Sequence, residues 1–112
     1  MLSRNSKRPT KAEAARMQKL KEMPCLVCPG CGPTEVHHQN LAGHAGQKRL
    51  GHMHTIPLGA WAHRGIPLKG YTVSSMVATF GPSMAHTPTS FRVTYGNNET
   101  LLTRTNKLLE AL

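Results

Sequence analysis

Two adjacent histidines lie in Glu35-Val36-His37-His38-Gln39-Asn40, and a third opens His63-Arg64-Gly65. Neutral imidazole can hold a divalent cation or take a proton from water near physiological pH. On a strand, successive side chains point to opposite faces, so His37 and His38 cannot share one job. One can bind a metal while the other faces a substrate. His63 lies 26 residues beyond His37, room for a strand, a loop, a second short strand and the start of a helix. A second group of ligand-type residues comes earlier, in Cys25-Leu26-Val27-Cys28-Pro29-Gly30-Cys31-Gly32-Pro33. A Cys-x-x-Cys turn aims two thiolates at one point, and the Gly and Pro residues accommodate the tight backbone. Structural zinc takes four ligands, yet no second Cys-x-x-Cys or Cys-x-x-His is visible. Cys31 and one of His44, His52 or His54 are the candidates to complete a site with Cys25 and Cys28. The competing expectation is that these are buried, reduced thiols with no metal.

The elements that must position these groups belong to one small domain of 112 residues. Hydrophobic residues make up 38% and aromatics only 4%, a thin core that a bound metal would help to hold. Residues 1–10 read as a basic arm carrying Arg4, Lys7 and Arg8. A helix follows over 11–23, capped by Thr10 with Glu13 three residues on and stopped by Pro24. Residues 1–23 are thus an N-terminal arm and helix, and 24–112 the main domain. Within it a strand is expected over Glu35–Asn40, a flexible basic loop with Lys48 and Arg49 over 41–53, and a second strand over His54–Pro57. A helix from Leu58 to Arg64 should end at Gly65, with Trp61 in the core. Ser74 or Ser75 should cap a short helix through Phe80. In Thr89–Tyr95 the alternation of Phe91, Val93 and Tyr95 favours a strand, while Gly96 suggests a helix end. A last helix spans 98–112, with Asn98 as N-cap. Leu101, Leu102, Thr105, Leu108, Leu109 and Leu112 line one face, expected to pack on the core.

The formal net charge is +9 and the pI about 10.1, which points to a polyanionic partner. No apolar run approaches the roughly 18 residues of a membrane span, and no apolar segment follows the basic N-terminus, so a membrane and a secretory route are not expected. Three cysteines crowded into positions 25–31 suit metal ligation in a reducing compartment better than a disulfide framework. A cytoplasmic protein is expected.

Two ligands, one on a strand and one on a helix, with a histidine beside the first, resemble the ββα-metal core of HNH (His-Me finger) endonucleases. The implied fold is α+β, a small core with a short two-stranded hairpin and surrounding helices. By this resemblance His37 is a metal ligand, His38 the general base and His63 the second ligand. A third motif residue would tie down the connecting loop. Asn40, His52, His54 and Thr55 compete for that part, with His52 preferred and then His54. Arg64 is the expected phosphate clamp, and Lys48 and Arg49 further substrate contacts. The implied cofactor is Mg²⁺ or Mn²⁺ for turnover, with Zn²⁺ bound structurally or at the active site.

Within that superfamily, Cys25–Gly65 is similar to the phage recombination enhancement function proteins, the RecA-dependent nucleases. Phe80-Gly81-Pro82-Ser83, Phe91 to Tyr95-Gly96 and Leu101-Leu102 to Leu108-Leu109 resemble the tail of that family, and on this ground Thr89–Tyr95 is assigned to a helix. The resemblance implies a phage or prophage nuclease of the bacterial cytoplasm that cuts DNA at RecA filaments, with no small-molecule ligand. The family often has Leu-Cys-x-x-His-His before Arg-Gly, where this chain has Leu58-Gly59-Ala60-Trp61-Ala62-His63. The two partners of the Cys25–Cys28 knuckle are therefore missing together, so its zinc is either abandoned or rerouted through Cys31. The alternatives are a non-catalytic, basic, zinc-binding nucleic-acid module and a protein whose main partner is the recombinase filament.

Overall fold

In the computed structural model, which describes residues 8–40 and 50–112, the element order is α1 (Lys11–Glu22), β1 (Thr34–His38), β2 (Thr55–Gly59), α2 (Ala60–Arg64), α3 (Val73–Phe80), α4 (Pro88–Tyr95) and α5 (Asn98–Glu110). The fold is α+β. The antiparallel hairpin pairs Thr34 with Gly59, His37 with Ile56 and His38 with Thr55. Chain continuity from β2 into α2 then carries His63 back over β1. The carbonyl of Pro57 accepts from the Leu26 N–H at 2.9 Å. In an antiparallel strand a residue's N and O face the same side, so the N–H that Pro57 lacks would have faced away from β1, where the ladder does not need it.

The core is built around Trp61, which is fully buried and donates its indole N–H to the Gly81 carbonyl at 3.1 Å. Ile56, Leu58, Met76, Phe91 and Leu101 close around it. From α1, Leu20 is buried. Arg16 reaches across to Thr55 Oγ1 and the Thr55 carbonyl and to Asn106 Oδ1, tying α1, β2 and α5 together. Thr10 and Glu13 form the expected capping box on α1.

Several boundaries differ from expectation. β2 runs on to Gly59, and α2 starts at Ala60 because the carbonyls of Pro33 and Cys31 accept the first N–H groups of the helix. Thr72, not Ser74 or Ser75, caps α3, and Ser75 supplies the return bond of its capping box. Thr89–Tyr95 is helical. The cap of α5 is Asn97, whose side chain accepts from the Thr100 N–H, so Asn98 is already inside the helix. On α5 only Leu101 and Thr105 are buried, while Leu108 and Leu112 are exposed, so the leucine face covers the core at its N-terminal end alone. The basic arm up to Lys7 and the loop bearing His44, Lys48 and Arg49 lie outside the described residues.

Candidate active site

Glu35 and His37 share one face of β1 because they are two residues apart, and α2 lies over that face. The rings of His37 and His63 meet edge to face, with centroids 4.9 Å apart. Glu35 Oε1 accepts a hydrogen bond from His63 Nδ1 at 2.9 Å. The carboxylate thus fixes the His63 tautomer and leaves Nε2 as the nitrogen available to a cation. Arg64, the next residue on α2, grips the other side of the same carboxylate through Nε, 2.9 Å from Oε1, and through Nη2 to Oε2. Its hydrogen bonds hold Glu35 below the usual carboxylate range, with His63 acting in the same direction and burial opposing. Arg64 in turn is pushed up by Glu35. Glu35 was not singled out by sequence; the signal was its position two residues before a candidate ligand on a strand.

His37 and His63 open onto a cavity of about 540 Å³ whose far wall is α4, with Arg92 and Thr89, and whose end is Asn98. Arg92 also lines an adjoining cavity of about 420 Å³, with His54, Gln39 and Asn97. Among the described residues Arg92 makes no side-chain hydrogen bond or ion pair. Arg64, expected to meet phosphate, is instead bound to Glu35. Arg92 is the cation that stands over the cleft, and sequence reasoning missed it because α4 was uncertain.

His38 points to the opposite face from His37, as strand alternation requires. Its Nε2 and His52 Nδ1 share a hydrogen bond of 3.0 Å. The structure therefore brings His37 and His63 together and sets His38 with His52. Of the other candidates for the third motif residue, Thr55 is buried and engaged with Arg16 and with the His52 carbonyl. His54 faces the second cavity. Asn40 lines the first, and its carbonyl accepts from Asn98 Nδ2 at 2.9 Å.

The knuckle precedes β1 and packs against the β2–α2 junction, where the Cys31 carbonyl accepts from the Trp61 N–H at 3.2 Å. Cys25, Cys28 and Cys31 are all buried, and their sulfurs lie within 4.8 Å of one another, a cluster that could hold a metal ion. Cys28 and Cys31 are joined as a disulfide in the structure, with Cys25 free. Among the described residues no fourth His, Cys, Asp or Glu joins the three. His52, one of the residues expected to complete the site, is engaged with His38.

A β-hairpin leading into a helix, with one histidine from the strand and one from the helix facing a cleft that Arg92 lines, is a small domain of the ββα type. The chain belongs to the family described as recombination enhancement, RecA-dependent nuclease, whose model matches residues 9–110. No curated protein and no solved structure matches the chain. Among the described residues no helix is long and apolar enough to cross a membrane.

Proposed function

We propose that this protein is a metal-dependent HNH-type DNA endonuclease, of phage or prophage origin, that hydrolyses phosphodiesters in the bacterial cytoplasm at DNA coated by RecA. The observation that carries the reading is the Glu35–His63–His37 arrangement. A carboxylate orients one imidazole, a second imidazole stands beside it, and both face a cleft lined by the Arg92 guanidinium, which makes no ion pair among the described residues. The donor set fits a cation held by His37 and His63. Two protein ligands leave positions for water and phosphate, as catalysis needs. When bound, Mg²⁺ or Mn²⁺ supplies charge stabilisation at a phosphoryl oxygen and at the leaving 3′ oxygen; zinc also suits two imidazoles.

The chain's own residues do the rest. Glu35, kept ionised by Arg64, accepts a hydrogen bond from the His63 Nδ1–H and holds the ring in register. Arg92 engages a phosphate oxygen from the α4 wall, where a planar guanidinium can form two parallel bonds. His38 takes the proton from the attacking water, with its ring held through Nε2 by His52; the strand edge between His37 and His38 then lies under the scissile phosphate. Lys48 and Arg49 extend the contact along the backbone of the DNA.

One observation favours a second reading, a basic nucleic-acid module without cleavage: His38 faces His52 and not the His37–His63 cleft. Supercoiled plasmid incubated with Mg²⁺ or Mn²⁺, with and without RecA filament, separates the two. Nicked or linear product that H38A and H63A both fail to make supports the endonuclease. Binding without product under either metal, filament present, establishes the module.

A further inference from the structure

We propose that the second cavity holds an unpaired nucleobase beside the phosphate to be cut, and that Glu99 selects bases carrying an exocyclic amine. The proposal rests on the nuclease reading for the phosphate in the first cavity. The two cavities share Arg92 and Asn98. A phosphate held by Arg92 therefore leaves its nucleoside within reach of the second cavity. The volume of that cavity, about 420 Å³, falls within the roughly 300–1,000 Å³ usual for small-ligand sites.

The lining suits a base and not a second phosphate. Leu50 and Leu102 supply apolar surface, and His54 supplies an aromatic ring on which a base can stack. Glu99 also lines the cavity, from the first turn of α5. Its negative charge repels phosphate, yet it accepts a hydrogen bond from an amine such as cytosine N4. Among the described residues that carboxylate makes no hydrogen bond or ion pair, so its oxygens are open to a ligand. The pocket is also held in shape. Gln39, only 1% exposed, donates from Nε2 to the Asn98 carbonyl at 2.9 Å, and Asn98 Nδ2 donates to the Asn40 carbonyl at 2.9 Å. These bonds pin the start of α5 to the chain leaving β1. In a duplex the face and the edge of a base are both taken, so the occupant has left its stack and its partner. Past Glu99 a groove continues to Arg104 and Lys107 on α5, cations that suit further phosphates of the same strand. The substrate so described is a strand with an unpaired nucleotide next to the cut.

The test is fluorescence anisotropy of the full chain with labelled oligodeoxycytidine and oligodeoxythymidine strands of equal length, at one fixed salt concentration. EDTA is present, so binding is read without cleavage. Wild type should hold the cytidine strand about 5-fold tighter or more, the discrimination of one good hydrogen bond to a base edge. Glu99→Ala, with its fold checked by circular dichroism, should bring the two strands level. A Glu99 that acts only as a charge at the helix start predicts otherwise: the substitution then raises affinity for both strands alike and leaves their ratio unchanged. His54→Ala should weaken both strands about 5-fold or more through the lost stacking face, with affinity for a fully paired duplex unchanged. Equal binding of the two strands by wild type overturns the inference. So does a preference that survives Glu99→Ala, or single-strand affinity indifferent to His54→Ala. A chain that passes these tests yet never nicks plasmid loses the nuclease reading and keeps the base pocket.

Discussion

At the scale of single residues, the site depends on Glu35. Its carboxylate touches both His63 and Arg64, so the two helix residues act through one strand residue. Replacing it tests that dependence. Glu35→Gln should lower the affinity of the cleft for Mn²⁺ by about 10–100-fold, the usual effect of losing a carboxylate that orients a histidine ligand, as read by calorimetric titration. The pH dependence follows from the lowered folded-state value. A depressed carboxylate stabilises the fold above its unfolded value near 4.5, and that stability is lost as pH falls from there through the folded value. Urea midpoints measured downward from pH 5 should therefore fall more steeply for wild type than for Glu35→Gln; parallel curves would show that the carboxylate is no better held in the folded chain. The two arginines separate as well. Arg92→Ala should raise KM for DNA without changing metal content. Arg64→Ala should act through the metal, by releasing Glu35. The reverse pattern would return the phosphate contact to Arg64.

Elements explain why these groups meet, and where the sequence was silent. Asn97→Ala should cost about 1 kcal/mol in urea unfolding, the usual loss of a helix cap, and Asn98→Ala should not remove a cap. The neighbouring asparagines are chemically identical, so only the turn geometry could choose between them. The hairpin and the helix bearing His63 were legible because His37, Thr55–Leu58 and the Gly65 stop mark a strand, a strand and a left-handed helix end. The end of β2 was not, because Gly59 and Pro57 are poor strand formers that tertiary hydrogen bonds hold in place. Residues 89–95 alternate like a strand yet form α4. Burial of Phe91 and the contact of its ring with Tyr95, four residues on, override the alternation. With α4 uncertain, Arg92 could not be placed on the cleft. Arg64 was placed correctly on its helix but not in its partnership, since its pairing with Glu35 forms only once α2 folds over β1.

At the scale of the molecule, a net charge of +9 should give affinity for any nucleic acid, and on the proposed reading the cleft adds chemistry to it. DNA affinity should fall linearly with salt on logarithmic axes, and Arg92→Ala should reduce that slope by about one phosphate's share. An unchanged slope would take Arg92 off the DNA. The most direct test of the account is to count the nitrogen ligands on a bound cation. Electron spin echo spectroscopy of Mn²⁺ in the wild-type protein should show coupling to two imidazole nitrogens, and His37→Ala and His63→Ala should each reduce it to one. Mn²⁺ with no nitrogen coupling, or coupling that survives both substitutions, would contradict it.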